Sequence, residues 1–188
     1  MFKRSVLAMM LVAATPAMAH TGHHAISGLL SGFGHPLTGL DHTLAMVGVG
    51  LFASLLGGRA LWAIPASFVV MMLVGGMMGL VGVEVPAVES GIAVSIVILG
   101  AVVSLGWTWP AGAAIALVGV FAVFHGYAHG AEIPAGADAT LYSLGFTLAS
   151  MLLHGLGIAF GAVTSRQAHV GRLAGAAVAV AGLVFLFG

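Results

Sequence analysis

A chain of 188 residues that is 61% hydrophobic, only 5% charged and carries 29 glycines lies outside the soluble globular range, and its mean hydropathy is strongly positive. With 5 Lys+Arg against 5 Asp+Glu and no cysteine, it has no basic surface for nucleic acid and no disulfide, thiolate metal site or cysteine nucleophile. The composition predicts an all-α fold, a polytopic membrane protein in which any metal is held through nitrogen, oxygen or thioether.

In chain order, Lys3 and Arg4 precede an apolar run from Ser5 to about Ala14 and the small-residue stretch Pro16-Ala17-Met18-Ala19. This succession resembles a cleavable signal peptide, 1–19, cut after Ala19, because the apolar run is short for a membrane span. Cleavage leaves His20 as the amino terminus outside the cytoplasm, with His23 and His24 close behind. A single transmembrane domain, 20–188, follows. Windows of about 20 apolar residues place six transmembrane helices at about 36–57, 61–82, 88–107, 110–131, 139–164 and 170–187. Gly75, Gly76, Gly79, Gly126, Gly130, Gly155 and Gly157 fall inside these spans. Small residues let helix backbones approach closely where no hydrophobic force drives helices together, so tight packing is expected.

Starting outside, six spans put Arg59, Arg166 and Arg172 on the inner side and Glu84, Glu89, Glu132 and Asp138 on the outer side. That distribution agrees with the positive-inside rule and returns the carboxyl terminus outside. The two sets of three spans have opposite orientations, a layout open to an inverted repeat.

Ionisable groups in hydrocarbon are costly and mark substrate or ion paths, and two spans carry them. At the head of the first span, Pro36 suits the first helical position and His35 lies at the outer mouth. His42, seven residues on, shares its face, with Asp41 beside it, the two roughly 7–9 Å deeper than His35 at about 1.5 Å per residue. Met46 extends that stripe inward. In the fourth span His125, His129 and Glu132 stand at i, i+4 and i+7, which aligns them on one helix face. His154, in the fifth span, lies nearer the inner half as a second station. Nitrogen and carboxylate donors without thiolate suit Ni²⁺, Co²⁺ or Zn²⁺ better than Cu(I). Met46, His154 and the amino-terminal His20, His23 and His24 are secondary candidates, the last three for capture outside the cytoplasm. The Met71-Met72 and Met77-Met78 pairs read as packing, and His169 as an interfacial residue.

The runs His35-Pro36-Leu37-Thr38-Gly39-Leu40-Asp41-His42-Thr43-Leu44-Ala45-Met46 and Phe124-His125-Gly126-Tyr127-Ala128-His129-Gly130-Ala131-Glu132 resemble the two signature stretches of the HupE/UreJ family. The likeness covers nearly the whole chain. It implies a small bacterial inner-membrane protein, a nickel permease associated with hydrogenase or urease maturation, in which His35, Asp41, His42, His125, His129 and Glu132 handle the ion. Five residues separate His35 from Asp41, one more than in the larger nickel/cobalt transporter family.

The expected substrate is Ni²⁺, with Co²⁺ or Zn²⁺ as alternatives, and no resident cofactor or enzymatic activity is expected. No Gly-rich loop ending in Gly-Lys-Ser/Thr is present, so the chain is not by itself a P-loop ATPase and no nucleotide partner is expected. The partners are a metal ion and the lipid bilayer, and a homo-oligomer is compatible with this reading. Two alternatives stay open: an intramembrane metal-dependent enzyme, although no His-Glu-x-x-His sequence occurs, and a cobalt or zinc transporter or exporter. Terminal sequencing of membrane-extracted protein is expected to begin at His20, and a start at Met1 would contradict the signal-peptide reading.

Overall fold

The computed structural model describes residues 21–188, with side chains described from Gly28 onward. The expected signal peptide 1–19 and His20 lie outside the described residues, as do the side chains of His23 and His24. Among the described residues the chain forms helices and no strand: α1 (Thr21–Thr38), α2 (Leu40–Leu56), α3 (Ala60–Leu80), α4 (Val88–Leu105), α5 (Ala111–Ala131), α6 (Ala139–Thr164) and α7 (Ala168–Phe187). Five of these, α3 to α7, are each long and apolar enough to cross a membrane, and Gly28–Thr38 of α1 with α2 count as a sixth if the bent pair is one span.

The helix ends follow from local chemistry. The α4 helix stops at Gly106 in the left-handed region, φ 66°, where Gly106 N–H bonds the Val103 carbonyl and Trp107 N–H the Val102 carbonyl, both at 3.1 Å. That reciprocal pair is the usual glycine stop signal. At the start of α6, the Asp138 carboxylate accepts from Thr140 N–H at 2.8 Å and Leu141 N–H at 3.0 Å, which satisfies two of the donors every helix start leaves open.

The first span departs from the sequence expectation. No continuous helix begins at Pro36; α1 already runs through Pro36, breaks after Thr38, and restarts at Leu40 with an 81° bend. The segment before Pro36 is helical from Thr21, a helix the window of apolar residues misses because glycines and histidines dilute it. Consequently the offset in depth of His35 above His42, computed along one straight helix, does not apply.

Packing is set by glycine contacts between non-consecutive helices. The α3 and α5 helices run side by side in the same direction, with Gly75 against Val123 and Tyr127, and Gly79 against Tyr127, Gly130 and Ala131. A Cβ on Gly126 would collide with the Met72 backbone, and one on Gly130 with the Gly76 backbone. The α2 and α6 helices are parallel in the same way, Gly50 meeting His154 and Gly157 while Gly161 meets Ser54. The α4 and α7 helices are antiparallel, with Gly100 against Gly175 and Ala179, and Gly182 against Ile96 and Val97. These are the most extensive pairings among the spans. They map onto themselves when the first three spans are exchanged with the last three, as an inverted-topology repeat requires. Gly155 takes no part, since a Cβ there meets nothing within 4 Å.

Alternating helix directions gather charge by sign. Asp41, Glu84, Glu89, Glu132 and Asp138 lie at one end of the bundle, and Arg59, Arg166 and Arg172 at the other.

Gly126→Ala is therefore expected to force backbones apart at a destabilisation on the order of 1–3 kcal/mol, seen as a lower unfolding midpoint in detergent. Gly155→Ala, made in open space, is expected to leave the midpoint unchanged or slightly raised.

Candidate functional site

The site grows out of the break in the first span. Where a helix is interrupted inside hydrocarbon, the freed backbone groups must find partners within the protein. Here Thr38 Oγ donates to the His35 carbonyl at 2.8 Å, and Thr43 Oγ, one turn into α2, donates to the Pro36 carbonyl at 2.7 Å. Gly39 supplies the extended link, φ −86° and ψ 112°. A Cβ on Gly39 would stand 2.9 Å from His42 Nδ1 and 3.0 Å from Asp41 Oδ1, so the missing side chain also leaves room for the pair beside it. The signature run around His35 and His42 thus encodes a break as much as a ligand set. That break puts the C-terminal end of one helix and the N-terminal end of the next at the same place, with His35 in the last turn of α1 and Asp41 in the first turn of α2. Both placements suit the helix dipoles, a potential cation at the carbonyl end and a carboxylate at the amide end.

Two histidines are oriented by a bond on one nitrogen that leaves the other free. His42 Nδ1 donates to Asp41 Oδ1 at 2.8 Å, and His125 Nδ1 donates to the Phe121 carbonyl at 2.9 Å. In each case Nε2 is buried without a partner. A fixed ring with its second nitrogen aimed at a cavity is how proteins present imidazole to a metal. His129 and His154 are buried with both nitrogens unpartnered.

The rings form a file. The His35 centroid lies 4.8 Å from that of His129, His129 lies 4.3 Å from His42, and His42 lies 5.6 Å from His125. At the carboxylate end, His35 Nε2 stands 3.4 Å from Glu132 Oε2. Donor atoms of His35, His129 and Glu132 all lie within 4.8 Å of one another. Donors around a tetrahedral ion with metal–nitrogen distances of about 2.0–2.1 Å stand roughly 3.4 Å apart, so modest side-chain rotation closes such a set. Glu132 is half exposed and His35 one-third exposed, whereas His125 is fully buried. The file therefore leads from an open mouth into the interior.

The structure brings His35, Asp41, His42, His125, His129 and Glu132 together. His154 stands apart from them, its ring 4.9 Å from Phe68, which in turn lies 5.5 Å from His125. Met46 is wholly buried in the apolar core. Sequence reasoning passes over Thr38, Gly39 and Thr43, although a glycine flanked by hydroxyl residues within an apolar run is a legible sign of a broken helix. It also passes over Tyr142 and Phe146. The Phe146 ring lies 3.8 Å from that of His129, and the Tyr142 hydroxyl is buried without a partner. Both border a cavity of about 250 Å³ that reaches His129 and is otherwise mostly apolar, with Met72 and Met77 in its wall.

All-helical among the described residues, with five or six membrane-length apolar helices, the chain is a multi-pass membrane protein, and its buried imidazoles converge at one end. The family model described as HupE / UreJ protein matches residues 7–185. The chain is 45% identical over 174 residues to Protein HupE of Rhizobium leguminosarum bv. viciae, covering 92% of its own length and 91% of that relative's. It belongs to the HupE/UreJ family, which is associated with metal transport. No solved structure matches it.

Thr43→Val removes the hydroxyl from the break and leaves the Pro36 carbonyl unpartnered. A loss of about 1–3 kcal/mol, measured by thermal unfolding in detergent, is expected, and Thr43→Ser is expected to retain most of the wild-type stability.

Proposed function

We propose that this protein is a permease for a divalent first-row ion, Ni²⁺ in preference to Co²⁺ or Zn²⁺, admitting it across the bacterial inner membrane to supply hydrogenase or urease maturation. The observation that carries this reading is the set of unpartnered nitrogens on His42, His125 and His129, whose rings stand in file behind the His35 and Glu132 mouth. A buried polar atom without a partner costs about 1–3 kcal/mol, and one divalent cation satisfies several imidazoles at once. Nitrogen and carboxylate donors without thiolate favour such ions, and the family's association with metal transport supports the same class.

In this reading the carboxylate end faces outside and the arginine end faces the cytoplasm, in accord with the positive-inside rule. Glu132 at the mouth, with the other carboxylates gathered at the same end of the bundle, raises the local concentration of cations. The amino-terminal histidines His20, His23 and His24 add capture groups on that side. Glu132, His35 and His129 take the ion first, His42 and His125 replace the rest of its water shell, and His154 receives it further in. Asp41 fixes the His42 ring and offsets charge where water is scarce. An inside-negative potential favours entry by about 2.3 kcal/mol per charge per 100 mV, and about twice that for a divalent ion. That suffices for uptake without a nucleotide.

The test is uptake by purified protein in liposomes, with Ni²⁺, Co²⁺ and Zn²⁺ in competition under an inside-negative potential. Wild-type protein is expected to accumulate Ni²⁺, and His42→Ala or Glu132→Ala to lower the initial rate at limiting nickel by about 10–100-fold. Outward movement against the potential, or variants with wild-type rates, would refute the assignment.

A further inference from the structure

The file of imidazoles is interrupted at one place. From His35 to His125 successive rings meet directly, at 4.8, 4.3 and 5.6 Å between centroids. Beyond His125 the next neighbour is Phe68, whose ring lies 5.5 Å away on that side and 4.9 Å from His154 on the other. Phe68 comes from α3, is wholly buried, and belongs to the same apolar cluster as Met46, Met72 and Leu153. Phe68, which has no lone pair to give, is thus the ring shared as neighbour by His125, with its unpartnered Nε2, and His154, with both nitrogens unpartnered.

We propose that Phe68 is the gate of this pathway: its ring closes the passage between His125 and His154, and an ion moves on only when that ring swings aside. The proposal rests on the permease reading above. An apolar constriction gates by excluding water, so a plug at this depth keeps the membrane tight while the outer cluster stands open to solvent. The aromatic face adds a weak attraction for a cation in transit, enough to guide it past and too little to hold it.

The surroundings give the ring somewhere to go. Met72, one turn further along the same face of α3, lines the cavity of about 250 Å³ beside His129. Its sulfur has one polar neighbour among the described residues, Ser150 Oγ at 3.7 Å, whose proton goes to the Phe146 carbonyl at 2.9 Å. An unbranched thioether yields easily, and its displacement into the cavity frees space over Phe68. One turn the other way, Pro65 lies inside α3 and cannot bond the Leu61 carbonyl, which loosens the ladder beneath the same ring. The α3 backbone itself is clamped by Gly75 and Gly79 on α5. Motion at the level of Phe68 is therefore open to the side chains and to the loosened turn at Pro65, while the C-terminal half of α3 stays fixed.

The experiment uses full-length protein in liposomes under an inside-negative potential, with a pH-sensitive dye and a nickel-sensitive dye inside. Without metal, Phe68→Ala is expected to admit protons through a water-filled gap about tenfold faster than wild type, which corresponds to a barrier lowered by one decade. Phe68→Trp enlarges the plug and is expected to slow nickel entry about tenfold, with the affinity of the outer cluster, by calorimetry, at its wild-type value. Proton-tight Phe68→Ala protein that binds nickel normally overturns the gate, as does Phe68→Trp protein with wild-type flux. Should Phe68→Ala fail to fold, Phe68→Leu takes its place with a smaller leak expected, and a tight bilayer overturns the proposal equally. Absence of nickel entry through wild-type protein defeats the permease reading instead, and the proton measurement then still decides the gate.

Discussion

Hydrocarbon offers no hydrogen bonds, and the architecture follows from that one condition. Regular helices meet it by bonding every backbone group internally. The break at Gly39 meets it by spending two threonine hydroxyls, Thr38 on the His35 carbonyl and Thr43 on the Pro36 carbonyl. Elsewhere in the interior, serines do the same on a smaller scale: Ser95 donates to the Ile92 carbonyl and Ser150 to the Phe146 carbonyl. Against this thorough pairing the histidines stand out, for their free nitrogens lie in the same medium with no partner from the protein.

Close backbone approach is the second condition the site depends on. The rings of His125 and His129 project from α5 at the very stretch where Gly126 and Gly130 press on α3. The same two helical turns therefore fix the distance between helices and the direction of the imidazoles. On the other side, the contact of Gly50 with Gly157 sets α2 against α6, and with it the position of His42 relative to His154. Neither histidine pair can be shifted without disturbing a glycine contact that has no slack.

Much of this was legible in the residue string. Five spans lie within a few residues of the windows of apolar residues, because uninterrupted hydropathy over a bilayer's thickness has few other meanings. The converging polar side chains were legible as candidates too, since Asp41, His42, His125, His129 and Glu132 interrupt runs that are otherwise apolar. What was not legible is how two stretches more than eighty residues apart converge, which depends on parallel pairing of non-consecutive helices. The bend at Gly39 escaped for a different reason. A proline beside an apolar run reads as a helix start, whereas Pro36 lies in the last turn of α1, and the break comes from the glycine three residues on. The part played by Phe68 has no sequence signal at all, because one phenylalanine in an apolar span looks like any other.

The pairing of non-neighbours carries a consequence for biogenesis. Helices that run parallel cannot be joined by a short hairpin, so α3 must wait for α5, and α2 for α6, before either finds its principal neighbour. During synthesis the early spans enter the bilayer without their principal neighbours, and the main pairings close after the later ones have been inserted. The file of histidines is therefore among the last parts to form. A ribosome stalled before α6 leaves the first four spans without the wall that carries Tyr142, Phe146 and His154, and an unfinished chain has no passage to leave open.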